Sequence, residues 1–147
     1  AIRVGNSKMD EDEVDPNNRY LFITPTLLGL IQDMETTKSK EVLQNFAGIR
    51  KVPQSRFYTA ISQYDGSTSG EEAGGYVKDS TSGCDINFMI IEKSAVIQFE
   101  KHVAPKIITP DQNQNADAYK FGYRNVGIAD VYDNKVAGIY LHHKAKG

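Results

Sequence analysis

The sequence predicts an α+β fold, with a mixed, mainly antiparallel sheet and flanking helices. Arg19-Tyr20-Leu21-Phe22-Ile23 and Ile86 to Ile91 are branched and aromatic runs of strand length. Leu27, Leu28, Leu30, Ile31 and Met34 recur at helical spacing. Tyr119, Phe121 and Tyr123 alternate with Lys120, Gly122 and Arg124 in the two-residue period of a strand. These elements follow one another without the regular strand-helix alternation of a doubly wound parallel sheet.

Residues 1–19 are polar, with acids at Asp10, Glu11, Asp12, Glu13 and Asp15 and the turn formers Asp15-Pro16-Asn17-Asn18, which predicts an exposed leading segment. Its start, Ala1 to Gly5, has neither an initiator Met nor the apolar centre of a signal peptide and reads as a cut inside a longer protein. After the first strand, Thr24-Pro25 starts a helix, because Thr can cap it and Pro suits its first position. The apolar face of that helix is opposed by Gln32, Asp33 and Glu35. Ser39 caps a second short helix with Val42, Leu43 and Phe46 as apolar positions, and Gly48 ends it.

Ile49 to Val52 is a brief strand before Pro53, and Phe57 to Ile61 is another candidate with weak alternation. From Asp65 to Asp85 the composition turns to Gly, Ser, Thr, Glu and Asp, which predicts one long mobile loop with room for a small hairpin. The nearly continuous apolar run from Ile86 to Ile91 predicts a central strand buried on both faces. A helical turn is expected over Glu92 to Val96, then extended pieces at Ile97, Phe99, Val103, Ile107 and Ile108, separated by Pro105 and Pro110. Past the polar turn Asp111 to Asn115, the aromatic strand should fold through Tyr132-Asp133-Asn134-Lys135 onto a partner, Val136 to His142. A chain of 147 residues suits one compact unit, 1–147.

With 39% hydrophobic and 24% charged residues, the chain has the composition of a folded domain. A net charge of -2 offers no general attraction to nucleic acid or an anionic membrane. The longest apolar run, Leu27 to Ile31, is broken by Gly29 and falls far short of the ~20 residues of a membrane-spanning helix, so no membrane partner is expected. A single cysteine, Cys84, excludes an internal disulfide and a cysteine-rich zinc site, and fits a reducing compartment.

Several patterns invite chemistry and fail its requirements. Asp10, Asp12 and Glu13 suggest a calcium loop, but Asp15 stands where such a loop needs Gly, leaving a solvated acidic segment. Gly70-Glu71-Glu72-Ala73-Gly74-Gly75 has the glycines of a phosphate cradle, but Tyr76 replaces the required Lys and two glutamates repel phosphate. His142 and His143 are neighbours on a strand and point to opposite faces, so they cannot chelate one ion and read as surface residues. His102 is isolated, and Cys84 sits beside Asp85, which raises a thiol pKa. No catalytic residue, cofactor or metal ligand is assigned. Tyr119, Phe121 and Tyr123 could stack bases beside Lys120 and Arg124, but the basic residues face the other way, which favours a buried aromatic face.

The order of landmarks resembles one known family, the tailed-bacteriophage major capsid proteins with the Hong Kong 97-like shell fold. The first is Val14-Asp15-Pro16-Asn17-Asn18-Arg19-Tyr20-Leu21-Phe22-Ile23-Thr24-Pro25, where an acidic residue, a Val and a turn lead into an Arg, a strand and a helix. Val52-Pro53-Gln54-Ser55-Arg56-Phe57 follows, then Ile90-Ile91-Glu92-Lys93-Ser94-Ala95-Val96. The last is Asp117-Ala118-Tyr119-Lys120-Phe121-Gly122-Tyr123-Arg124 with Asp133-Asn134-Lys135 and Gly138-Ile139-Tyr140. Together they span residues 9–140.

The resemblance implies the axial domain and part of the peripheral domain of a shell subunit. It also implies assembly with copies of itself into hexamers and pentamers around packaged DNA, touched weakly and non-specifically, with a scaffolding protein as a further partner. Assembly would take place in the bacterial cytoplasm and end in the virion capsid. The family's upstream arm, extended hairpin and spine helix have no counterpart here, so the resemblance implies a piece of a longer protein. No Lys or Asn matches the crosslinking motif of some relatives. The expected inter-subunit site is the tip of the 65–85 loop, with Asp65, Gly66, Gly70, Gly74, Gly75 and Tyr76. Two other readings are a small single-stranded nucleic-acid-binding module using the aromatic strand and an encapsulin-like host shell protein.

Overall fold

The structure, a computed structural model, describes residues 1–34 and 37–145. Glu35, expected on the polar side of a helix, lies outside the described residues. The strands are β1 (Arg19–Ile23), β2 (Gly48–Lys51), β3 (Ile61–Tyr64), β4 (Gly75–Lys78), β5 (Ile86–Glu92), β6 (Val96–Ile108), β7 (Lys120–Val131) and β8 (Ile139–His143). The helices are α1 (Ile2–Glu11), α2 (Pro25–Asp33) and α3 (Thr37–Gln44). The fold is α+β, with antiparallel pairing everywhere except between β1 and β2. In place of one folding unit, the chain divides into two: Ala1–Ala95 with Asn134–Gly147, and Val96–Asp133.

The first unit is built on a four-stranded sheet in the order β2-β1-β5-β8. Leu21 and Ile23 from β1 and Phe88 and Ile90 from β5 are fully buried, joined by Ile2 and Met9 from α1 and Leu28 from α2. β5 is central as expected, but it alternates: Ile86, Phe88, Ile90 and Glu92 are buried, while Asn87, Met89 and Ile91 are half-buried. Its continuous apolar run therefore reflects one packed face and one partly covered face. On α2 the packed residues are Leu27, Leu28 and Ile31, whereas Leu30 is exposed, as is Met34 just past the helix end. Thr24 precedes α2 without a side-chain capping bond, and Ser39 lies inside α3 rather than at its start. The candidate strand at Phe57 is replaced by a buried Phe57, a single bridge between Tyr58 and Asp85, and a strand that begins only at Ile61.

The leading segment is corrected outright, because residues 2–11 form a helix that supplies part of the core. Ile2, Gly5 and Met9 fall at i, i+3 and i+7 and are all buried. At Gly5 a Cβ would stand 2.7 Å from the Tyr140 ring, so only glycine lets the helix backbone lie this close to the sheet. The helix ends with Glu13 at φ 57°, its N–H donating to Asp10 O at 3.1 Å while the Val14 N–H donates to Met9 O at 3.0 Å. A side chain in this left-handed position is strained, and Glu13→Gly is expected to stabilise the unit by about 1 kcal/mol, raising the urea midpoint.

The second unit is a two-stranded ribbon in which β6 pairs with β7 from Val96↔Val131 to Ile108↔Lys120. The expected hairpin between β7 and Val136–His142 is therefore wrong. Residues 133–138 form 3-10 turns, and β8 pairs with β5 instead. β6 can match β7 along nearly its whole length, which the shorter Val136–His142 segment cannot. Pro105 interrupts nothing, because a two-stranded ribbon leaves outward-facing backbone amides without ladder partners anyway.

Candidate functional site

The candidate residues fall on two surfaces, one in each unit. In the first, β3 and β4 form a hairpin, so the expected 65–85 loop resolves into a connection, a strand and a turn. Asp65 Oδ1 accepts from the Ser67 and Thr68 N–H groups, both at 2.7 Å, and Oδ2 accepts from Thr68 Oγ1 at 2.7 Å. These bonds, led by those to Thr68, hold its carboxyl far below the ordinary range. Gly66, Gly70, Gly74 and Gly75 all have positive φ. The consecutive pair Gly74 (φ 62°) and Gly75 (φ 85°) swings the chain into β4, a path closed to most side chains. Tyr76 follows, 44% exposed. The structure thus brings all six expected residues onto one hairpin.

Behind the tip, Asp79 organises a second turn. Its Oδ1 accepts from Ser82 N–H at 2.6 Å, Ser82 Oγ at 2.8 Å and Thr81 N–H at 2.9 Å, and its Oδ2 from Ser62 Oγ at 3.0 Å. The Ser82 amide, then the Ser82 and Ser62 hydroxyls, pull its carboxyl from 3.8 to about 2. Because the folded value is depressed, the stability these bonds lend is present above pH 3.8 and is lost as pH falls through about 2. Asp79→Ala should therefore destabilise the hairpin at neutral pH. The gap to wild type, measured by hydrogen exchange of the hairpin amides, should narrow as pH drops toward 2. At the base, Asp85 pairs with Lys78 at 2.8 Å and Lys144 at 3.5 Å.

In the second unit the aromatic expectation is reversed: Tyr119, Phe121 and Tyr123 are 62%, 75% and 70% exposed. Two strands have no second layer to bury them against. The Tyr119 and Phe121 rings stack at 6.3 Å, and Lys106, Lys120 and Arg124 lie on the face opposite Phe121 and Tyr123. Between Glu100↔Gly127 and His102↔Val126 a bulge leaves Lys101 without a register partner. Beyond it, Val103 and Ile107 share a face with Phe121 and Tyr123; before it, Ile97 and Phe99 share the other face with Val126 and Ile128. Ile107, Phe99 and Ile128 are each about 60% exposed.

The remaining candidates do not converge. His102 is exposed on β6. His142 is half-buried rather than on the surface, stacked 4.9 Å from Phe88 with its Nδ1 3.1 Å from Asn87 Nδ2, while His143 is exposed. Cys84 is half-buried, and its amide donates to Thr59 Oγ1 at 2.8 Å. A polar cleft of about 380 Å³ is lined by Asp12, Glu13, Asp15, Glu92 and Lys135, and two of its acids, Asp15 and Glu92, are engaged structurally. Asp15 accepts from Asn17 N–H at 2.9 Å, and Glu92 from Ser94 Oγ at 2.6 Å. Asp10, from the same acidic run, pairs with Arg19 at 2.7 Å. Among the described residues, no group of three or more His, Cys, Asp or Glu could hold a metal ion, and no helix is long and apolar enough to cross a membrane. No protein-family model matches the chain, and no curated protein matches it.

Proposed function

We propose that this chain is a structural subunit of an icosahedral phage or prophage capsid, assembling with copies of itself into hexamers and pentamers around DNA. The observation that carries this reading is the ribbon, which holds large apolar side chains in the open on both faces. An isolated two-stranded ribbon is marginal in water, and side chains of this kind are stable where neighbouring molecules cover them. The landmark order along residues 9–140 supports the same reading, and the β3–β4 tip is a second surface suited to neighbours around a ring. Purified protein examined by electron microscopy should yield closed rings or shells; discrete monomers at high concentration would count against it.

A second reading is favoured by the exposure of Tyr119, Phe121 and Tyr123, since open aromatic rings can stack bases. It predicts affinity for single-stranded DNA that falls steeply with salt. The ribbon's charge weighs against it, with Lys101, Lys106, Lys120 and Arg124 balanced by Glu100, Asp111, Asp117 and Asp130.

A further inference from the structure

We infer that α3, β2 and the 3-10 turn after β2 form a basic edge that holds the phosphate backbone of duplex DNA without reading its sequence. The inference rests on the shell reading, in which DNA is enclosed, and deepens it by naming the surface that meets the DNA. Residues 37–56 carry Lys38, Lys40, Arg50, Lys51 and Arg56 against a single acid, Glu41. All five cations are exposed, and among the described residues none of them pairs with a carboxylate. The formal charge of -2 hides this, because residues 10–15 hold five acids and no base, and residues 65–85 hold five acids and one lysine. Charge is thus separated along the chain, and a local positive field survives where the average over the whole molecule shows none.

The fold gathers these cations at one margin of the first unit. β2 is an outer strand of the four-stranded sheet, preceded in the chain by α3 and followed by the turn Gln54–Arg56. Side chains alternate along a strand, so Arg50 and Lys51 point to opposite faces and the charge wraps the edge. Val42 and Leu43 of α3, and Phe46 just past it, pack against the core, while Lys38 and Lys40 face solvent. The segment's one exposed large apolar side chain is Ile49, at 36%. It therefore offers no apolar face to sink into an anionic bilayer and no open aromatic ring to stack a base. Cations alone suit phosphate contact, which positions a nucleic acid without discriminating its bases. A duplex carries a charge every ~1.7 Å of its axis, twice the density of one strand, and is the form this edge should prefer.

The test is fluorescence anisotropy of a labelled duplex of mixed sequence, titrated with the full chain between about 50 and 200 mM salt. With four or five phosphates neutralised, affinity should fall on the order of a few hundredfold across that range, a readout that needs no mutation. Lys38→Gln with Lys40→Gln, and separately Arg50→Gln with Lys51→Gln, should each weaken low-salt binding roughly tenfold and lower the salt slope by about two. Both pairs should keep the wild-type near-ultraviolet circular dichroism, since the replaced side chains are exposed. Lys101→Gln with Lys106→Gln on the ribbon should leave binding and slope unchanged. Absence of duplex binding at low salt would overturn the inference, as would an unchanged slope in both edge variants or an equal loss in the ribbon variant. So would tighter binding to a single strand that is lost in Phe121→Ser with Tyr123→Ser, or a preference for phosphatidylglycerol vesicles over the duplex at equal salt. Shells that form but ignore the duplex would overturn it while sparing the capsid reading. Duplex binding through these residues by a chain that never assembles would support it and remove the capsid reading.

Discussion

Phe88→Ala is expected to destabilise the first unit by about 4 kcal/mol, the cost of emptying a core site from which a whole aromatic ring is removed. Phe88 is 1% exposed and lies on the central strand among Leu21, Ile23, Leu28 and Ile90. Its ring is also stacked at 4.9 Å on His142 and 6.2 Å from Tyr140, so the substitution loses contacts to β8 as well as to the helices. Chemical denaturation followed by near-ultraviolet circular dichroism would measure the loss. Phe88→Leu, which keeps most of the volume, should cost less than half as much. Equal losses for the two variants would show that the site tolerates a cavity.

Arg19→Leu should cost about 3 kcal/mol through a different mechanism, the stranding of polar groups. The Arg19 side chain is only 3% exposed, and it pairs with Asp10 at 2.7 Å. It also donates to Val14 O at 2.6 Å and to Asn6 O at 3.3 Å. One guanidinium thus ties β1 to the body of α1 and to the chain just past its end, a span that a planar fork of donors covers and a single ammonium does not. Asp10 can turn to water when Arg19 is removed, but the Val14 carbonyl would lose its guanidinium donor and the Asn6 carbonyl would keep only its place in the helix ladder. Arg19→Lys should recover only part of the loss. Protease cleavage within residues 1–15 should rise in both variants, because α1 is the element released.

Where the sequence was legible, one local rule governed the outcome. β1, α2 and the central place of β5 follow from residue type and period within a short window. α1 was hidden because its buried stripe is Ile2, Gly5 and Met9, and a glycine pressed against Tyr140 counts as polar or breaking in any periodicity count. The partner of β7 was missed because Val136–His142 also has strand character and follows a plausible turn; the choice is settled by the length of the match to β6. The hairpin tip was recognisable from its glycines, but Asp65 and Asp79 looked like ordinary loop acids until their backbone partners were placed. The exposed ribbon could have been suspected from the phase slip between Tyr123 and Val126, which no single flat, one-sided sheet accommodates without a bulge.

The polypeptide leaves the first unit after Ala95 and rejoins it at Asn134, and Lys135 Nζ sits 2.9 Å from Ser94 Oγ, so the exit and return are held side by side. Whatever is spliced between two such anchored points can lengthen or shrink cheaply, at roughly 0.6 kcal/mol per doubling of a flexible span. A change in the length of the 96–133 insert is therefore expected to leave the packing of the first unit intact.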